Sequence, residues 1–223
     1  MTKKNLLLIT TVTVLINLSG CAGASIMDTK VSTKKARVIF EVSKDAEIDK
    51  VTKALYEAVS YRVSDLNENE GLLPEELPLK AKAPKQSQAF GRLAALAGNS
   101  PSFQMMQLDT SNAYYTVSGK GSMASEFSTK AEYYKAAIYP YKDGYKIYMY
   151  LFYQEGTDGI MGALTDMAVK SIVGKEGALL YAAQVRDKFK ELLPEATIKS
   201  QSPRKLEKVV LNGIGWAKNT DSK

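Results

Sequence analysis

The chain has 223 residues, and its 30 basic and 24 acidic side chains give a formal net charge of +6. This modest and scattered basic excess does not indicate a nucleic-acid-binding protein. Histidine is absent and Cys21 is the single cysteine, which excludes Ser-His and Cys-His nucleophiles and zinc sites built from His and Cys. An enzyme would need carboxylates, a Ser-Lys pair or a metal held by carboxylates, so the composition favours binding or structural work.

The first twenty residues have the pattern of an export signal. Two lysines precede an apolar stretch over residues 6–18, which is shorter than the ~20 residues that a bilayer span requires. The motif Leu18-Ser19-Gly20-Cys21 follows, and it resembles the lipobox of bacterial lipoprotein precursors. The resemblance implies that a diacylglycerol thioether forms on Cys21, that residues 1–20 are removed, and that the new amino terminus is often acylated too.

The residue after the cysteine bears on localisation. Lipoproteins retained at the inner membrane often carry Asp there, so Ala22 implies an outer-membrane lipoprotein facing the periplasm if the cell has an outer membrane. Two or three acyl chains would hold it stably, because each buried CH₂ contributes ~0.8 kcal/mol. The alternatives are an ordinary secretory signal with an incidental cysteine, or a short membrane anchor. Residues 21–34 are small and polar and predict a lipidated flexible tether.

The remainder, residues 35–223, predicts a single α+β domain that opens with a strand and a helix. Alternating apolar residues over 35–42 predict a half-buried strand. Asp45 is the expected cap of a helix from Ile48 to about Arg62. The proline-containing stretch 64–102 predicts an irregular insertion, with a short helix over 88–97.

The middle of the chain predicts β-structure. Short strands are expected over 103–108, 113–118 and 123–127. The strongest pattern is a hairpin in which strands over 131–141 and 145–153 flank a tight Asp-Gly turn. Both faces of the second strand are apolar or aromatic, which predicts a central strand or a face that meets a partner.

The last third predicts further helices and one strand. Helical patterns cover 159–173, 178–193 and 204–211, and a strand is expected over 196–200. The apolar stripe of the first of these helices fits a buried helix, or one that lies on a membrane or a partner. The expected fold is therefore α+β, a mainly antiparallel sheet with a tyrosine-rich central hairpin and helices packed on one face.

Tyrosines crowd into the hairpin, and four of them are candidate partner contacts: Tyr139, Tyr141, Tyr148 and Tyr150. Exposed tyrosines offer rigid amphipathic area for a sugar ring or a protein partner. Tyrosine is also a good strand residue that forms cross-strand pairs inside sheets, so the same pattern fits a structural role.

Signals for chemistry are weak. Two Ser-x-x-Lys patterns, at Ser32 and Ser202, lack the accompanying motifs of penicillin-binding enzymes, and no phosphate loop or EF-hand spacing occurs. No catalytic residue, metal or cofactor is therefore predicted. The basic side chains near the C-terminus could touch lipid or glycan phosphates, although a solvated face is the default. These are Lys199, Arg204, Lys205, Lys208, Lys218 and Lys223.

The sequence thus predicts a non-catalytic envelope lipoprotein, anchored to the membrane through lipid on Cys21, that acts as a binding, accessory or assembly factor. Its expected partner is another envelope protein. One alternative is a lipoprotein that binds lipid or glycan in an apolar pocket. Another is a cell-wall hydrolase, which needs two carboxyl groups converging in a cleft, at least one of them with a raised pKa.

Overall fold

The computed structural model describes residues 32–87, 100–121, 132–155 and 177–208. Three α-helices lie within these ranges: α1 (Ile48–Ser60), α2 (Pro101–Met106) and α3 (Gly177–Leu192). The strands are β1 (Ser32–Ser43), β2 (Val63–Glu70), β3 (Lys85–Gln86), β4 (Leu108–Asp109), β5 (Tyr115–Gly121), β6 (Glu132–Tyr141), β7 (Gly144–Glu155) and β8 (Thr197–Ser202). A 3-10 helix, Arg204–Lys208, follows β8.

Six strands form one antiparallel sheet in the order β2-β5-β6-β7-β1-β8, while β3 and β4 pair separately. The predicted hairpin occupies the two central positions, and its register runs without interruption to the turn. Gly144 has a φ of +146° at that turn, a conformation that glycine adopts without steric cost. The predicted fold class is therefore confirmed, including the antiparallel sheet and the central tyrosine-rich hairpin.

One face of the sheet packs against α1 and α3. The buried residues of α1 recur at helical spacing: Val51, Ala54, Leu55, Ala58 and Val59. On α3, the ring of Phe189 meets that of Phe40 on β1 edge to face, with centroids 4.9 Å apart. The buried Arg186 guanidinium donates to Gln201 Oε1 at 2.9 Å and to the Leu206 carbonyl at 2.8 Å. These bonds tie α3 to β8 and to the 3-10 helix.

The opposite face of the sheet lies under residues 71–87 and 100–113, here called the covering segment. An aromatic cluster is buried between this face and the covering segment: Ala137, Tyr139, Tyr148, Tyr150 and Phe152 of the hairpin with Leu108 of the covering segment. Ala81, Met105 and Ala113 of the covering segment pack against the cluster. The Lys142 N–H donates to the Pro78 carbonyl at 3.0 Å, which joins the segment to the hairpin turn. The central strands are thus buried on both faces.

Two local predictions are wrong for physical reasons. Residues 103–108 do not form a strand, because Ser100 Oγ accepts the Phe103 N–H at 3.3 Å and Pro101 begins α2 in its first turn. Asp45 does not cap α1, whose N-cap is Glu47 without a side-chain capping bond. Asp45 instead accepts a hydrogen bond from the Ser43 hydroxyl at 2.9 Å.

The predicted irregular stretch over 64–102 begins with regular structure. Residues Val63–Glu70 form edge strand β2, which pairs with β5 alone and leaves most of its side chains exposed. β1 begins at Ser32, three residues inside the predicted tether. The predictions for 88–97, 123–127, 159–173 and 209–211 lie outside the described residues.

Candidate functional site

The leader and Cys21 lie outside the described residues. Within those residues, no helix is long and apolar enough to cross a membrane. The same part of the chain contains no group of three or more His, Cys, Asp or Glu side chains that could hold a metal ion. Three described features remain as candidates: the hairpin tyrosines, one groove and one buried polar cluster.

All four candidate tyrosines are buried. Tyr139, Tyr141, Tyr148 and Tyr150 are 1%, 9%, 7% and 7% exposed, respectively. The rings of Tyr148 and Tyr150 stack with centroids 6.5 Å apart, and Tyr139 meets Tyr148 edge to face at 5.6 Å. The Tyr141 hydroxyl donates to Glu41 Oε1 at 2.5 Å. This packing favours the structural interpretation, because a partner would reach Tyr139, Tyr148 and Tyr150 only if the covering segment moved.

Basic side chains border the aromatic cluster. The sheet register places Arg37 of β1 and Lys135 of β6 on either side of Tyr150, and Lys35 Nζ lies 5.8 Å from the Tyr150 ring centroid. Lys135 Nζ donates to the Leu108 carbonyl at 2.6 Å. Burial lowers the pKa of Lys135, and the charge of Asp109 opposes that shift. Through this hydrogen bond, Lys135 links the hairpin to the covering segment.

An open groove of about 680 Å³ lies between α1 and strands β2 and β5. Polar side chains dominate its lining, which consists of Asp49, Thr52, Lys53, Tyr56, Glu68, Glu70 and Tyr115. Tyr56 is 37% exposed, so its ring is available at the surface. The Thr52 hydroxyl is buried and has no hydrogen-bond partner in the described structure.

Tyrosine hydroxyls hold the two carboxylates that β2 brings to the groove. Tyr115 donates to Glu68 Oε2 at 2.7 Å, and Tyr114 donates to Glu70 Oε1. The hydrogen bond to Glu70, then burial, raises the pKa of Tyr114 to about 12, while burial is the main cause of the raised pKa of Tyr115. Both phenols therefore stay protonated donors. Each carboxylate keeps further acceptor capacity for a ligand, because an ionised carboxylate has about four acceptor positions.

The sequence pattern did not predict this groove. Glu68 and Glu70 fell in the stretch predicted to be irregular, where acidic residues indicate a solvated loop. Their spacing of two residues is the available signal, since it places them on one face if the stretch is a strand. The groove also needs α1 beside β2, a contact that the sequence pattern does not specify.

A buried polar cluster lies at the start of β6. Glu132 is 2% exposed. The Tyr134 hydroxyl and Arg62 Nε are buried without a partner in the described structure. Gly121 allows the close packing here, because a Cβ at this position would lie 3.0 Å from Glu132 Cβ and 3.1 Å from Tyr134 Cε2. Tyr181 of α3 completes the cluster, with its ring centroid 5.7 Å from Arg62 Cζ.

Burial sets the protonation of this cluster. Desolvation raises the pKa of Glu132 to about 8, so its carboxyl is mostly neutral at pH 7. Burial likewise raises the pKa of Tyr134 and of Tyr181, and the Glu132 charge adds to both shifts. The Glu132 charge thus acts on two phenols of this cluster, Tyr134 and Tyr181.

The chain matches no protein-family model and no curated protein.

Replacing both Tyr148 and Tyr150 with serine is expected to unfold the domain. Removing a large buried side chain costs about 3–5 kcal/mol, and two such losses approach the whole stability of a typical domain. Thermal unfolding followed by circular dichroism tests this. The Phe variants at both positions are the control, because they keep the rings. A retained melting temperature together with weaker partner capture would instead make these tyrosines a contact surface.

Replacing Glu132 with Gln is expected to stabilise the protein increasingly as pH rises from about 5 to 8. Between the ordinary Glu pKa of 4.5 and the folded-state value of about 8, only the unfolded chain releases the proton, so rising pH favours unfolding. The limiting slope is about 1.4 kcal/mol per pH unit. The chain contains no histidine to titrate in this window.

Urea unfolding at several pH values measures this effect. The wild-type free energy of unfolding should fall through the window and level off above pH 8, while that of Glu132→Gln stays flatter. Glu75→Gln, at an exposed position, is the matched control and should follow the wild type. Parallel curves for wild type and Glu132→Gln would show that the carboxyl is ionised in the folded protein.

Proposed function

We propose that this chain is an envelope lipoprotein, held at the membrane through lipid on Cys21, whose domain binds another envelope protein without catalysis. The basic and apolar leader and the lipobox motif support the anchor. The observation that carries the binding role is the groove between α1 and β2, in which carboxylates held by tyrosine hydroxyls lie beside an exposed tyrosine ring.

The groove's side chains specify the chemistry of its partner. Asp49, Glu68 and Glu70 contribute three acidic groups against the single cation of Lys53. A basic side chain on the partner would gain charge-assisted hydrogen bonds from these carboxylates. Its apolar stem or its cation would pack on the ring of Tyr56. The occupant is therefore a partner segment that presents lysine or arginine.

The form of the groove favours a protein over a small apolar ligand. Pockets for lipids and other small molecules are usually enclosed and lined mostly by apolar side chains, with a few polar groups. This groove is open, and each of its seven lining residues carries a charged or a hydroxyl group. β2 is also an edge strand, so a partner segment has room to run alongside it.

Replacing Cys21 with Ser is expected to remove the lipid and release the protein from membranes, because the thioether requires the sulfur. Metabolic labelling with an alkyne fatty acid, followed by a carbonate wash of the membranes, measures both effects. Ser25→Ala, four residues further along the chain, should keep both label and membrane association. Persistence of Cys21→Ser in the washed membrane pellet would contradict the lipid anchor.

A photo-crosslinking residue in place of Tyr56 is expected to capture one recurring envelope protein in cells, whereas the same residue in place of Tyr61 is not. The two tyrosines are a matched pair, 37% and 38% exposed, but only Tyr56 lines the groove. Replacing Glu68 and Glu70 with Gln in the Tyr56-substituted protein should lower capture by about tenfold, because the hydrogen-bond acceptors remain while the charges are lost.

Two outcomes would contradict the groove as a partner site. One is an identical set of crosslinked products from positions 56 and 61. The other is an equal loss of capture when Glu75 and Glu76, an exposed pair outside the groove, are changed to Gln as the charge-matched control. Capture of lipid or glycan alone at position 56 would favour a small-ligand role instead.

A further inference from the structure

Basic side chains gather at one end of the sheet, the end at which β1 begins. A single cross-strand row joins Lys35 of β1, through Phe152 and Tyr133, to Lys120 of β5. Lys35 and Lys120 therefore lie at the same level of the sheet, and both are exposed. Neither makes an ion pair with a described residue.

The 3-10 helix follows β8, which runs towards this end of the sheet, and it carries two further cations. β8 runs antiparallel to β1, and its last residue, Ser202, lies opposite Arg37 in the register. The helix that follows is fixed in place, because Leu206 is fully buried and its carbonyl accepts the Arg186 guanidinium. Arg204 and Lys208 flank Leu206 and are exposed.

The exposed basic groups near this end are Lys35, Lys120, Arg204 and Lys208. Asp65 and Glu207 are exposed acidic groups near the same end, and Glu155 lies opposite Ser32 in the register. These four cations are here called the basic end. The covalent connection also places the basic end close to the anchor. Ten residues separate Cys21 from β1, and that length of chain reaches at most about 36 Å when fully extended.

We infer that the basic end docks on the anionic phospholipid surface of the membrane that holds Cys21. This inference rests on the proposed lipid anchor. Juxtamembrane basic side chains are attracted to anionic headgroups, and the tether keeps the basic end within reach of them. Docking orients the domain, because the groove residues Asp49 and Glu70 lie towards the opposite end of the sheet, where α1 begins and β2 ends.

Lysine acetylation of the mature lipoprotein in vesicles tests the inference. One vesicle preparation contains phosphatidylcholine alone, and the other contains equal parts of phosphatidylcholine and phosphatidylglycerol. Acetylation of Lys35, Lys120 and Lys208 is expected to slow by at least about fivefold in the anionic vesicles. The attraction of one basic side chain to such a surface raises the binding constant by about this factor. Lys44 and Lys142, exposed at the other end of the sheet, should react at the same rate in both preparations.

Charge reversal provides the second variant. Arg204→Glu combined with Lys208→Glu should restore fast acetylation of Lys35 and Lys120, whereas Lys44→Glu combined with Lys142→Glu should leave those lysines protected. High salt should also restore their reactivity, because it screens surface charges.

The possible failures are distinguishable. A protein that does not float with the vesicles would overturn the lipid anchor, and the docking inference with it. A protein that floats, but whose lysines at both ends react equally in the two preparations, would overturn the docking alone.

Discussion

Burying the β6–β7 hairpin on both faces is the constraint on which the rest of this structure depends. A strand with apolar side chains on both faces must be covered twice, and two different parts of the chain do this. α1 and α3 cover one face, and the covering segment closes the other over the rings of Tyr148 and Tyr150. The edges are left to the polar strands β2 and β8, which suits strands that meet solvent on one side. Surface available for binding is thereby displaced from the aromatic centre to the ends and edges of the sheet.

The elements that sequence patterns predicted well are those whose side chains alone determine their conformation. α1 has strong helical periodicity, the apolar residues of α3 recur at steps of three and four, and an Asp-Gly turn between two tyrosine-rich runs marks the hairpin. α2 has only six residues, and its side chains are compatible with a strand, so the cap at Ser100 and the proline at Pro101 decided its conformation. At β2 the prediction failed in another way, because a strand formed where irregular structure was expected. Its polar sequence has little strand propensity, and only its pairing with β5 makes it a strand.

The candidate site could be predicted only in part, because tertiary packing decides which of its residues meet and which are exposed. The four hairpin tyrosines could be picked out from the sequence, but their exposure depends on where the covering segment lies. The groove requires Tyr115 and Glu68, 47 positions apart, to meet across two paired strands. Glu132 is another such case, because nothing in its local sequence indicates burial. It becomes a neutral acid only when Gly121, Tyr134 and Tyr181 close around it. Contacts of this kind follow from topology rather than from local pattern.

Antiparallel topology also explains how the fold separates the basic end, the proposed attachment surface, from the groove, the proposed recognition surface. β5 and β8 both run towards the end of the sheet at which β1 begins, so they bring Lys120 and Arg204 towards that end. The turn after β1 sends α1 back along the sheet, so its first residues and the last residues of β2 meet at the far end, around Asp49 and Glu70. Strand order therefore places the basic end on the side from which β1 begins, where the proposed anchor would be attached, and the acidic groove towards the other side. A lysine- or arginine-bearing partner segment would be attracted to the groove and repelled by the basic end, whereas anionic headgroups would show the opposite preference. The two surfaces would thus not compete for the same binding partner.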